Sequence, residues 1–166
     1  MEIFIYLAII FCTTYIGFGI ADYYVKREKL YHELVIFGEK LKSDIGFLLL
    51  PIGEILRGGA QQFGSSLAEL IEVSSRLLGE GKPLSEAELF ERWQTRLLLH
   101  DEKLFICRFF SMLGRSDEKT QLENIENYCE RFKQRESECQ NERKRYSPMF
   151  RKLGFLSGLA ICLFLL

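Results

Sequence analysis

The sequence predicts an all-α protein: a bundle of about six helices lying between an N-terminal and a C-terminal membrane helix. Three observations predict it. Apolar residues gather at the two ends, charged residues fill the middle, and no segment alternates apolar and polar residues for long in a chain with only three prolines. The 166 residues give room for one domain and its attachments. A net charge of −1 leaves neither a nucleic-acid footprint nor an acidic tail. The expected divisions are residues 1–25 as an anchor, 26–147 as a cytoplasmic bundle ending in a long charged helix, and 148–166 as a second membrane segment.

From Ile3 to Ala21 runs a stretch of 19 residues without a charge. As a helix it covers roughly 28 Å, close to the ~30 Å hydrocarbon core of a bilayer. Hydrocarbon offers the backbone no partners, so helix is the state expected there. Gly17 and Gly19 either mark close approach by another helix or are neutral. Gly19-Ile-Ala21 resembles a signal-peptide cleavage site, but only Met1 and Glu2 precede the apolar run. The basic residues Lys26, Arg27 and Lys29 follow it, which predicts an uncleaved anchor with the following chain in the cytoplasm.

The second apolar run, Leu153 to Leu166, is 14 residues long and spans roughly 21 Å by itself. A helix starting at Pro148, whose missing N–H costs nothing at a first helical position, gains length while Arg151 and Lys152 snorkel. Arg143, Lys144 and Arg145 stand on the domain side, giving the same orientation as the first run. A re-entrant or interfacial segment is the alternative.

Between the ends, Leu30, Leu34, Phe37, Leu41, Ile45 and Leu48 recur at three- and four-residue steps and continue the first helix past the membrane. Pro51 interrupts it and opens a short helix through Leu56, ended by Gly58 and Gly59. Leu67, Leu70, Ile71, Ser74, Leu77 and Leu78 form the next face, closed by Gly79 and Gly81. Ser85 and Glu88 form a capping box for a helix carrying Leu89, Phe90, Trp93, Leu97 and Leu98. Asp101 is a further N-cap candidate, followed by Leu104, Phe105, Phe109, Met112 and Leu113, with Gly114 as the stop. In the last helix Leu122, Ile125, Cys129 and Phe132 lie on a heptad seam that fades through Glu136, Cys139, Arg143 and Tyr146. That fading predicts packing in the first half of the helix and a solvated stalk in the second.

No catalytic constellation emerges. The five cysteines include no Cys-x-x-Cys pair; Cys12 and Cys162 in the membrane segments and Cys107 and Cys129 on or near apolar faces read as small buried hydrophobes, and a cytoplasmic domain would keep its thiols reduced. His32 and His100 have no second ligand at helical spacing. Gly79-Glu-Gly-Lys-Pro83 fails as a phosphate loop, which needs Gly in place of Arg76 and Ser or Thr in place of Pro83. The carboxylates from Asp117 to Glu142 alternate with basic residues as on a solvated helix face. The reading is no enzyme, with no cofactor and no metal.

Leu50-Pro-Ile-Gly-Glu-Ile-Leu56, Gly79-Glu-Gly-Lys-Pro-Leu-Ser-Glu-Ala87 and Leu113-Gly-Arg-Ser-Asp117 resemble, in this order, the helical repeat of type II secretion F-type platform proteins. Over nearly its full length the chain resembles more closely the stage III sporulation protein AB family of endospore-forming bacteria. Leu113, Gly114, Asp117 and Gln121 match its Leu-Gly-x-x-Asp-x-x-x-Gln turn, and Leu153 through Leu159 match its Leu-Gly-x-Leu-x-Gly-Leu membrane segment. The resemblance implies a platform in a channel-like complex between mother cell and forespore, on the mother-cell side of the outer forespore membrane. Its partners would be a secretion-type ATPase, stage III sporulation protein AA, and other membrane subunits. F-type platforms carry two such repeats, whereas one stands here, which leaves self-association or a simpler role open.

Two functions follow. The first is an anchored, non-catalytic platform that binds through charged faces; Arg57, Arg76, Arg115 and Asp117, near expected helix ends, are its candidate partner-binding residues. The second is a structural tether that self-associates through the helix at 118–147. Membrane lipid is a partner in both, and nucleic acid in neither.

Overall fold

The structure, a computed structural model, describes residues 2–115 and 117–165. Met1, Ser116 and Leu166 lie outside the described residues, although the reading above placed them in the anchor, the Gly-Arg-Ser turn and the second apolar run. Six α-helices and one 3-10 turn make up the regular structure. They are α1 (Glu2–Gly46), α2 (Ile52–Gly59) with the turn Ala60–Gln62, α3 (Ser65–Gly79), α4 (Glu86–Arg92), α5 (His100–Met112) and α6 (Glu118–Leu165). The all-α architecture is present, with no strand among the described residues. α1 and α6 are both long and apolar enough to cross a membrane. The chain forms two compact units, Met1–Lys29 with Glu136–Leu166, and Leu30–Arg135.

The unit Leu30–Arg135 is the helical body. Its core takes Leu30, Leu34, Phe37 and Leu41 from α1, Leu56 from α2, Leu67, Leu70 and Ile71 from α3, and Phe109 and Phe110 from α5. Ile125, Cys129 and Phe132 from α6 complete it. Phe37 stacks on Phe110 with centroids 5.4 Å apart, and Phe109 meets Phe132 edge-on at 5.2 Å. Such aromatic contacts add about 0.5–1.5 kcal/mol each beyond their buried area. Gly38 is where α1 admits the Cys129 side chain, because a Cβ there would collide with its sulfur.

Four expectations for this unit change. α1 ends at Gly46 rather than at Pro51, so Leu48 leaves the apolar face and lies exposed. Leu49 there adopts φ +52°, and the Leu50 N–H donates to the Asp44 carbonyl at 3.1 Å. α2 does end at Gly59, as expected, and the chain then passes through the 3-10 turn to Phe63. Ser85 is the N-cap of α4, but its side chain makes no cap hydrogen bond; Glu86 in the first turn pairs instead with Arg108. α4 stops at Arg92, leaving Leu97 and Leu98 outside it. The Trp93 indole N–H donates to the Ser66 carbonyl at 2.8 Å and the Gln94 N–H to the Glu69 carboxylate. Bonds from side chains thus replace helical ones. Leu99, not Asp101, caps α5, and the Glu102 carboxylate accepts from the Leu99 N–H at 3.1 Å.

The unit Met1–Lys29 with Glu136–Leu166 is an antiparallel pair of helix segments. Cys162 lies against the Tyr6 carbonyl, Gly158 against Ile10 and Thr13, Gly154 against Gly17, and Tyr24 against Tyr146 and Phe150. A Cβ on Gly154 would stand 2.8 Å from the Thr13 carbonyl oxygen and 3.0 Å from the Gly17 Cα, so only glycine permits this approach. Of the two glycines in the first apolar run, Gly17 marks the contact and Gly19 faces open space.

Pro148 does not start a helix but sits inside α6. A proline there removes one backbone bond at a cost of about 3 kcal/mol. Tyr146 and Phe150, on either side of it, both pack on Tyr24, and the helix continues past the proline. Nor is the part of α6 beyond Arg135 a solvated stalk. Cys139 and Ser147 are buried, Glu142 pairs with Arg27 at 2.6 Å, and Arg143 pairs with Glu28 at 2.7 Å.

Candidate functional site

The helical body presents three arginines where α2, α3 and the turn before α6 meet. Arg57 lies in the last turn of α2, held there because Ile55 and Leu56 on the opposite face are buried. Arg76 lies in the last turn of α3. Arg115 follows Gly114, whose φ of +79° turns the chain after Leu113. That left-handed geometry favours glycine, and it aims Arg115 back toward the α3–α4 loop. One guanidinium nitrogen of Arg115 donates to the Leu84 carbonyl at 2.5 Å. Arg57 makes no hydrogen bond or ion pair among the described residues.

The structure brings three of the four sequence-predicted residues together around two small clefts. Arg57 and Arg115 flank one of about 290 Å³, walled by Ile52, Gly53, Leu78, Pro83, Leu84, Leu113 and Gly114. Arg57 and Arg76 flank another of about 260 Å³, with Leu56, Ala60, Glu72 and Ser75. Arg57 is the shared post. Asp117 borders neither cleft. Its carboxylate accepts from Thr120, whose backbone N–H lies 3.2 Å away at the start of α6, and bonding to Thr120 holds it below the usual carboxylate range.

These clefts can bind anions but offer no proton shuttle. Guanidinium stays charged at any physiological pH and only donates. The buried thiols sit elsewhere: burial pushes Cys107 up to about 12 and Cys129 up to about 11, so neither is a nucleophile at neutral pH. No group of three or more His, Cys, Asp or Glu side chains is placed to hold a metal among the described residues.

A larger groove of about 570 Å³ lies between the end of α1 and the start of α6. Lys42 and Lys119 are balanced there by Glu39, Glu123 and Glu126, and Lys42 is itself bonded to Glu126 at 2.8 Å. Sequence reasoning missed the apolar floor of the arginine clefts (Ile52, Leu78, Leu84 and Leu113). Only Leu78 and Leu113 stand within two residues of a named arginine, and no sequence period joins them to Ile52 and Leu84. Sequence reasoning also missed the crossed pairs Arg27–Glu142 and Glu28–Arg143, legible as Arg-Glu in one helix facing Glu-Arg in the other.

A family model described as stage III sporulation protein AB matches residues 2–166. A curated relative, "Stage III sporulation protein AB" of Bacillus subtilis (strain 168), is 25% identical over 162 residues, covering 95% of this chain and 95% of the relative. No solved structure matches.

Proposed function

The chain belongs to the stage III sporulation protein AB family, and we propose that it serves there as a membrane-anchored, non-catalytic platform. Membership supports a role in sporulation. In this reading the terminal helices cross the membrane and the body lies on the cytoplasmic, mother-cell side. There it docks the secretion-type ATPase, stage III sporulation protein AA, and gathers other membrane subunits of a secretion-like channel.

One observation carries the reading. Three arginines of the body, Arg57, Arg76 and Arg115, flank two adjoining shallow clefts, while its thiols Cys107 and Cys129 are buried and neutral, an arrangement suited to binding rather than turnover. The basic residues flanking both apolar runs support the orientation. The tether reading needs a free seam on α6, yet Ile125, Cys129, Phe132 and Cys139 are all buried within the chain, which favours the platform.

Deletion of the gene tests this. The expected result is a block in sporulation after engulfment, together with co-isolation of the ATPase when the full chain is purified from sporulating cells in mild detergent. Normal spore yield in the deletion strain would overturn the reading.

A further inference from the structure

The cleft between Arg57 and Arg115 has the chemistry of a peptide-binding notch. Its walls are apolar, its two ends are cationic, and no carboxylate lines it. At about 290 Å³ it is at or below the ~300–1,000 Å³ typical of small-molecule and cofactor sites, a size for a side chain or two. It also lacks the run of glycine amides that a nucleotide phosphate uses. Arg115 is pre-positioned by its bond to the Leu84 carbonyl, so less rotamer freedom is lost on binding, and its remaining N–H groups stay available. Arg57 makes no hydrogen bond or ion pair among the described residues and stands between this cleft and the one bordered by Arg76.

We propose that this cleft is a docking site for an acidic–apolar segment of a partner protein, an apolar side chain seated on Ile52, Leu78, Leu84 and Leu113 and flanking carboxylates bridged by Arg57 and Arg115. Charge complementarity selects the occupant. A carboxylate accepts two parallel guanidinium bonds, and an apolar neighbour covers the half-exposed Ile52 and Leu78 above the buried Leu84 and Leu113. The second cleft adjoins the first at Arg57, but Glu72 belongs to its lining, so the docked carboxylates are assigned to the first cleft alone. This deepens the platform reading and rests on it for the presence of a protein partner at this face, but not for the partner's identity.

Gly53 provides the probe position, because a Cβ there meets nothing within 4 Å and the residue lines the cleft. The photo-reactive residue benzoylphenylalanine is placed at Gly53 of the full chain in sporulating cells, and at Gly79, equally open but outside both clefts, as the control. The expected result is a cross-link from position 53 alone, mapped to a peptide with Asp or Glu beside apolar residues. Its yield should fall roughly tenfold or more in Arg57→Glu and in Arg115→Glu while helix content is unchanged. Arg57→Lys should retain part of the yield, since the charge remains and the fork is lost.

Cross-linking to phospholipid or nucleic acid, a mapped peptide without carboxylates, or a yield indifferent to both reversals would each overturn the proposal. If such a peptide belongs to a protein other than an ATPase, the cleft assignment stands and the ATPase-docking reading falls. If the ATPase copurifies equally with both reversal variants and position 53 captures nothing, the cleft assignment falls and the platform stands.

Discussion

The terminal helix pair and the helical body bury opposite kinds of residue. In the body, Phe37, Trp93 and Phe109 are fully buried, and charged side chains such as Lys133 and Glu126 lie outside. In the terminal pair Gly17, Ala21, Ser147, Gly154 and Gly158 are buried, while Phe4, Phe11 and Leu163 face outward. α1 and α6 contribute to both patterns, so helix type does not explain the difference; the solvent each segment suits does. In water, hiding a large apolar side chain gains about 1.5–3 kcal/mol. In hydrocarbon that gain disappears, and helices associate where small residues let backbones approach.

The largest expected effect separates two phenylalanines. Phe37→Ala, in the stacked core, should cost about 3–5 kcal/mol in urea unfolding of the detergent-solubilised chain. Phe11→Ala should cost less than about 0.5 kcal/mol in the same assay. Equal losses would erase the distinction between the regions.

Next comes the glycine contact. Gly154→Leu should destabilise the terminal pair by about 1–3 kcal/mol through overpacking, whereas Gly19→Leu should be neutral. The readout is oxidative coupling of Tyr6→Cys to Cys162, which should fail in Gly154→Leu and persist in Gly19→Leu.

Thiol reactivity sharpens the body's side of the comparison. Cys107 and Cys129 should resist a maleimide in the native chain at pH 8 and react once urea unfolds it. Burial raises both thiols above their ordinary value of 9.0, so the folded state holds protons that the unfolded state releases. Their contribution to stability is therefore complete below the unfolded value and lost as pH rises toward the folded values of about 11 and 12. A melting temperature that rises across that window would contradict the burial.

The smallest effect concerns the exposed pair Lys133–Glu39, 2.7 Å apart in the body. The Lys133 hydrogen bond holds the Glu39 carboxyl below its ordinary value despite some opposing desolvation. A lowered carboxylate stabilises above its unfolded value and loses that contribution as pH falls through the folded one. Lys133→Ala should shift the melting temperature less than Phe37→Ala or Gly154→Leu does, and high salt should shrink the difference.

Much of this was legible in the sequence, for reasons specific to each element. The stripe from Leu30 to Ile45 reports the buried face of α1 because burial in water writes its period into the residues. Gly79 and Gly114 close α3 and α5 where expected. The terminal pairing was hidden, because in an apolar run the closest approach rests on Gly17, Gly154 and Gly158, and the outward-facing residues there obey no pattern. The end of α4 was hidden as well: Trp93 and Thr95 continue a plausible helical face, and only the Ser66 and Glu69 bonds draw the chain out of it. At the arginine clefts the charged posts could be read from helix ends, but the apolar floor joins residues 52 to 113, which no local period connects.

Phe11 and Phe47 offer the sharpest comparison, being 74% and 86% exposed. Each is replaced by cysteine in a chain whose native cysteines are alanine, and membranes opened on both faces are treated with an impermeant maleimide. Rapid labelling at position 47, with none at position 11 until detergent is added, is the predicted result. Equal labelling at both positions before detergent would contradict the account, since water would then bathe both ends of α1 alike.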